Sequence, residues 1–297
     1  LNAINLDKLA SGGAELTKTW SIMDSTMKNF QLTQKEFESY KDNIVDTLKN
    51  TGTEGELGSI FGAQDITKYL QQINDMGVHD TETAEKMVSA IAISNKYLGM
   101  SQETQESLYK LQRRSGVENL IQRQTATTAQ LLRSQLNVSK EQLDAINQAA
   151  VENADTLSLL GLDGEALANF NETFAKQSAV YESAYKGVGS SGVDALVKGI
   201  SSDNTTAATL FGSNYQDVYN KFMESGDVQE LLEAFKDSNG AVKSMADTYG
   251  RFVEQKDFTG AKSVVEEAQS MGVNGDIIKL FYQMQKNPAA LQEAQGQ

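Results

Sequence analysis

A chain of 297 residues with a formal net charge of −14, one proline and no cysteine excludes several classes at once. Non-specific nucleic-acid binding needs clustered Lys and Arg against the phosphates, adhesion to an anionic membrane surface needs the same sign, and disulfide frames and thiolate metal sites need cysteine. An average chain of this length would carry roughly fifteen prolines; a helix interior cannot tolerate proline, which lacks the N–H donor and clashes with the preceding turn, so the composition predicts a long series of helices.

The first residue is leucine, with no basic segment and no apolar segment after it of the kind a signal peptide carries. The expectation is a processed product or a segment of something longer. The longest apolar run, Met87 to Ile93, is broken by Ser89 and is too short to span a bilayer.

The first clear helix start is Thr33 with Glu36, a capping box flanked by the staple pair Leu32 and Phe37. Phe37, Tyr40, Ile44, Val45 and Leu48 then form a stripe of helical period. The stretch Asn50-Thr51-Gly52-Thr53-Glu54-Gly55 separates these N-terminal helices, 1–52, from the rest.

From there one signature recurs. A large apolar residue precedes one that tolerates positive φ, and another apolar residue follows. The instances are Met76-Gly77-Val78, Leu98-Gly99-Met100, Leu136-Asn137-Val138, Leu160-Gly161-Leu162 and Met271-Gly272-Val273. This pattern suits a helix C-terminus: Gly or Asn takes the left-handed C′ position and the next residue folds back onto the last turn. New helices are expected to start directly after these links. Asp80 and Ser101 read as N-caps, Ser139 with Gln142 as a capping box stapled by Val138 and Leu143, and Asp163 as a cap between Leu162 and Leu167.

The stripes Leu143, Ile146, Ala150, Ala154, Leu157, Leu160 and Leu167, Phe170, Phe174, Tyr181, Tyr185 mark two long helices. No run alternates apolar and polar residues. The expected fold is all-α, a multi-helix bundle or stacked αα-hairpins joined by short Gly/Asn-capped links, with no sheet. A central domain is expected over 53–186. The Gly-rich stretch Gly187-Val188-Gly189-Ser190-Ser191-Gly192 reads as a hinge before a C-terminal domain, 187–297, of shorter helices.

Candidate chemistry is sparse. Gly187 to Gly192 matches the dinucleotide-binding fingerprint in letters, but the residues before it read as helix, and the fingerprint needs a strand there to aim a helix N-terminus at the pyrophosphate. His79 is the only histidine and lies between a Gly cap and Asp80; zinc would need companions of the His or Cys type. Asp163-Gly164-Glu165 lacks the alternating ligands and closing glutamate of a calcium loop. Asp75, Asp80 and Glu82 could meet around a link and hold a cation weakly, although helix-dipole complementation explains them equally well. Gln122 to Gln135, with Arg113, Arg114, Arg123 and Arg133 nearby, is the one locally basic zone. It reads either as a polar helix with a narrow apolar stripe or as a helix lying against an acidic partner. No residue is assigned a catalytic, cofactor-binding or metal-binding role.

The links Leu98-Gly99-Met100-Ser101-Gln102-Glu103 and Leu136-Asn137-Val138-Ser139-Lys140-Glu141-Gln142-Leu143 resemble those in the helical parts of phage tail tape-measure proteins. So does the proline-poor, cysteine-free character, over about residues 60–290. The resemblance is one of style, without an invariant motif. It implies a non-enzymatic virion component of the tail interior or tip, with a part in tail assembly and genome delivery. Its partners would be other virion proteins of the tail tube or tip, and copies of itself, with no specific nucleic-acid binding and no membrane-spanning segment. The glycine breaks would fold this chain compactly, whereas a tape-measure rod is extended, which favours a tip or ejected domain. The rival expectation is a cytoplasmic α-solenoid adaptor, since Tyr219 to Phe235 and Phe252 to Val265 read as short helical hairpins without the tetratricopeptide pattern. A virion-carried cell-wall lyase domain comes third.

Overall fold

The computed structural model describes residues 21–22, 24–50, 63–238 and 240–296. About 81% of these are helical, and there is no strand among them. The chain divides into two compact units, Leu1–Lys110 and Leu111–Gln297.

The first unit holds α1 (Gln34–Asn50), α2 (Ala63–Asp75) and α3 (Thr81–Lys96), and α4 (Gln102–Ser115) carries the chain across the division. The Thr33/Glu36 capping box is formed in both directions: the Glu36 amide donates to Thr33 Oγ1 at 3.4 Å and the Thr33 amide to Glu36 Oε2 at 2.8 Å. α3 packs on α1 and α2. Its core includes Phe37, Tyr40, Ile44, Ile73, Met87 and Ile91, all buried. A buried amide network lies within this unit. Gln105 Nε2 donates to the Ile91 carbonyl at 3.0 Å and to Ser94 Oγ at 2.7 Å, and its Oε1 accepts from Gln72.

The second unit is built around one helix. It contains α5 (Leu120–Arg133), α6 (Lys140–Leu159), α7 (Gly164–Ala184), α8 (Gly189–Ile200), α9 (Asn204–Phe211), α10 (Tyr215–Ser225), α11 (Val228–Ser238), α12 (Gly240–Glu254), α13 (Phe258–Ser270), α14 (Gly275–Lys286) and α15 (Pro288–Gln295). The 21-residue α7 packs against α5, α6, α8, α10, α11 and α15. That is a bundle around a central helix; in a solenoid each repeat would contact only its neighbours. Apolar burial on all sides explains why α7 carries Leu167, Phe170, Phe174, Ala175, Ala179 and Tyr181 inward. Phe170 meets Phe222 of α10 edge-on at 5.9 Å, and Phe235 bridges Phe211 and Phe281 at 6.2 and 5.7 Å. The single proline, Pro288, opens α15 at its first turn, where a missing N–H costs nothing.

The link signature is resolved atom by atom. At Gly77, Gly161 and Gly272 φ is 71°, 107° and 80°. In each case the next residue's amide reaches back to a carbonyl five residues earlier, Val78 to Ile73, Leu162 to Leu157 and Val273 to Ala268, at 3.4, 3.0 and 2.9 Å. These are Schellman closures. Val78, Leu162 and Val273 are fully buried, and so is Met100 after Gly99. The apolar residue before the glycine is less constrained: Leu160 and Met271 are exposed.

Asn137 departs from the expectation. Its φ is not positive, because α5 has already ended at Arg133, with Ser134 extended behind it. Residues 134–139 form a longer link, and the Asn137 amide donates to Ser183 Oγ at 3.1 Å. The left-handed asparagine is Asn119, which opens α5 at φ 63°. Asp163 stands at the N-cap of α7, but its side chain caps no amide.

The domain boundaries also differ from expectation. The break at 52/53 lies outside the described residues. The division runs through α4 instead of between 186 and 187. Gly187 to Gly192 is a packed corner and not a hinge: Gly189 and Gly192 are buried, and a Cβ on Gly189 would run into the Tyr181 carbonyl. The helices after this corner are nonetheless shorter, 8 to 15 residues against 20 and 21 for α6 and α7.

Candidate functional site

The sequence elements that pointed to chemistry are shared between the two units, His79 and the three acids in the first and the glycine-rich stretch and the basic zone in the second. Gly187 to Gly192 forms the N-terminus of α8, which has the unpaired amides that bind anions in many proteins. Here those amides face an anion of the same chain. Glu182, only 4% exposed, accepts from the Gly187 amide at 2.8 Å, the Ser190 amide at 3.1 Å and Ser190 Oγ at 3.1 Å. Gln142 of α6 adds a fourth donor at 3.2 Å. The site that a pyrophosphate would take is filled by a carboxylate. Glu182 therefore ties three helices, α6, α7 and α8, at one corner.

Sequence reasoning missed Glu182, although a signal was present. It lies in the last turn of α7, where the helix dipole disfavours negative charge. An acidic residue there, five positions before a glycine-rich turn, marks a partner outside its own helix.

His79 is exposed, as expected, between Val78 and the N-cap Asp80. Its Nδ1 lies 2.7 Å from Asn29 Oδ1. Asn29 in turn donates to the Val78 carbonyl at 2.6 Å, and Asn74 Nδ2 donates to Thr26 Oγ1 at 2.7 Å. The network clamps the α2–α3 link and presents no free imidazole pair.

The three acids do not converge. Asp80 caps the Thr83 amide at 2.7 Å, and Glu82 pairs with Lys86 at 2.7 Å. Asp75 faces Glu106; partial burial, then that like charge, hold its carboxyl above the ordinary range. Among the described residues no three His, Cys, Asp or Glu side chains are grouped to hold a metal ion.

Two arginines of the basic zone, Arg114 and Arg123, pair within the chain, while Arg113 and Arg133 are exposed. Arg123 forks onto both oxygens of Glu165 at 3.0 and 2.9 Å and reaches Glu172 with Nε at 2.5 Å. The hydrogen bonds to Glu165 raise its guanidinium pKa most, and they lower that of Glu165 in return. Arg114 pairs with Asp155 and donates to Ser158 Oγ at 2.7 Å. The acidic partners of Arg114 and Arg123 thus lie on α6 and α7 of the same unit. The polar face of α5 is also buried: Gln124 donates to Asn147 Oδ1 at 2.6 Å, and Asn147 Nδ2 to Thr128 Oγ1 at 3.0 Å.

A groove of about 510 Å³ opens in the second unit between the end of α6, the α8–α9 link and α10. Leu160, Ile200 and Ala207 form its apolar floor and edge. Tyr215 and Tyr219, one helical turn apart on α10, form one wall. Nine of its ten lining residues fall between positions 200 and 220, and Leu160 alone comes from a distant part of the chain; no motif in that stretch announced it.

No protein family, curated protein or solved structure matches the chain.

Proposed function

We propose that the chain is a non-enzymatic structural component of a phage virion, tape-measure-like and belonging to the tail interior or tip, with a part in tail assembly and genome delivery. The observation that supports this reading best is the internal pairing of two arginines of the chain's one cationic zone. Arg114 and Arg123 bind carboxylates of their own unit, and the one glycine-rich helix N-terminus is filled by Glu182. Over the whole chain acidic residues outnumber basic ones, 40 to 26, for a formal sum of −14, which gives an acidic surface. Inside a tube such a surface repels the equally negative genome and lets it move past.

The helical links add support. The two links that resemble those of tape-measure helices both join consecutive helices, the first through left-handed Gly99 and the second through the Ser139/Gln142 capping box. The compactness of each unit favours a tip or ejected domain over an extended rod. The short hairpins read as adaptor-like are present as α10–α11 and α12–α13, but α12 also packs on α14, and α8 does too. That cross-packing weighs against the α-solenoid adaptor. The lyase reading has no constellation of residues behind it.

Mass spectrometry of purified virions from the source is the test. Recovery of peptides from this chain in the tail fraction supports the reading. A parent gene outside any phage or prophage overturns it, as does a tight DNA complex at physiological salt.

A further inference from the structure

We infer that the groove between α6, the α8–α9 link and α10 is a binding site for a neutral saccharide. The inference stands on the groove alone and does not depend on the virion reading.

The first argument is charge. Roughly one residue in five of this chain is charged (22%), yet none of the ten that line the groove is. A nucleotide, a phosphosugar or a peptide terminus would find no counter-charge there. A ligand that matches the site must therefore be uncharged.

The second argument is the chemistry of the lining. Three amides, Asn204, Gln216 and Asn220, and two hydroxyls, Ser201 and Ser202, face one space. Amides offer both donors and acceptors, and a serine hydroxyl that donates to backbone keeps its lone pairs free. Ser201 donates to the Val197 carbonyl at 3.0 Å and Ser202 to the Gly199 carbonyl at 2.8 Å, so both present acceptors to the groove. The ligand must then carry many hydroxyl donors together with acceptors. Sugars combine those groups at high density without charge.

The third argument is the aromatic wall. Tyr215 and Tyr219 are half-buried and both line the groove. An aromatic face is apolar, electron-rich and rigid. A pyranose ring presents a patch of C–H bonds that suits such a face and hydroxyls at its rim that suit the amides. The apolar edge at Leu160, 47% exposed, extends this platform at the mouth. The groove volume lies within the usual range of small-ligand sites, roughly 300–1,000 Å³, and an open groove accommodates a chain of sugars entering and leaving.

The test uses the full chain and ligand-observed saturation-transfer NMR with two neutral probes, triacetylchitotriose and maltotriose, and one charged probe, a sulfated heparin disaccharide. The expected result is saturable binding of at least one neutral trisaccharide with Kd of about 1 mM or tighter, and none of the sulfated disaccharide. Tyr219→Ala should weaken binding about tenfold, and Tyr219→Phe, which keeps the ring, should stay within about threefold. Should Tyr219→Ala melt early by circular dichroism, Asn220→Ala at an exposed position takes its place, with the same direction expected. Absence of binding by both neutral probes at about 10 mM overturns the inference. Preference for the sulfated probe overturns it too, as does binding unchanged in both the Tyr219→Ala and Asn220→Ala variants. Virion mass spectrometry bears on none of these outcomes, so the two proposals fail separately.

Discussion

Glu182 Oε2 accepts the Ser190 amide at 3.1 Å, across the corner where α7 ends and α8 begins. A carboxylate at the C-terminus of one helix thereby neutralises the N-terminus of the next. The unfavourable dipole contact on α7 is compensated by the favourable one on α8. This relationship converts a glycine-rich stretch into a rigid junction.

The Glu182→Gln variant should therefore lose about 1–3 kcal/mol of stability. The substitution keeps one acceptor oxygen and replaces the other with a donor that faces the donors either of Gly187 and Gln142 or of Ser190. Chemical denaturation followed by circular dichroism measures it. Stability equal to the parent chain would mean that water satisfies these amides as well as the carboxylate does.

Glycine substitutions should separate by what a Cβ meets. Gly161 has positive φ but open space, so alanine there should cost only the left-handed strain, about 1–2 kcal/mol. Gly226 also has positive φ, and its Cβ would strike the Ala166 backbone. Alanine at 226 should cost clearly more, because a core backbone must shift. Equal losses in thermal melts would contradict this ordering. Glycine at Asn137 should be mildly destabilising, since the position is not left-handed and the change only adds freedom to the unfolded chain.

Replacing Asn147 by alanine should destabilise by about 2–4 kcal/mol. It empties space in the core and leaves Gln124 and Thr128 without their shared partner. Asn147→Leu should recover little, because the amide of Gln124 would still lack an acceptor. A double variant that also makes Gln124 apolar should recover part of the loss, and urea midpoints of the set measure the coupling.

Stability should fall on the acid side. Hydrogen bonds from Thr33 to Glu36, at Glu141, from Arg123 to Glu165 and from Thr206 to Asp203 hold these carboxyls below their ordinary values of 4.5 and 3.8. Groups depressed on folding stabilise above their unfolded pKa, and that contribution disappears as pH falls through the folded one. Asp75, raised on folding, runs the opposite way. Among the described carboxyl groups four are depressed against one raised, so urea midpoints should be flat from pH 7 to about 5 and decline below about 4. Asp203→Asn should flatten part of the decline. Rising midpoints toward pH 3 would show that relief of the −14 self-repulsion outweighs the lost caps.

Local rules made much of this protein legible before any coordinates. Near-absence of proline, stripes of helical period and capping pairs act within a few residues of chain, so Thr33 with Glu36, Ser139 with Gln142 and the glycines at 77, 161 and 272 could be read directly. The helix end before Asn137 could not, because Ser134 stops α5 with a conformation that many residues adopt. Which unit each helix joins was also hidden. α7 became the hub because its neighbours come from both sides of the chain, and no periodicity encodes partner choice. The same limit governs the charges. Arg123 and Glu172 are 49 residues apart, and Glu182 reaches past the end of its own helix to the next. Local propensity depends on neighbours in sequence, so the sequence by itself determined the helices and their caps. The reach of Gln142 to Glu182, the pairing of Arg114 and Arg123 with carboxylates more than 40 residues away, and the meeting of Leu160 with residues 200–220 at the groove depend on neighbours in space, and only the tertiary packing decided them.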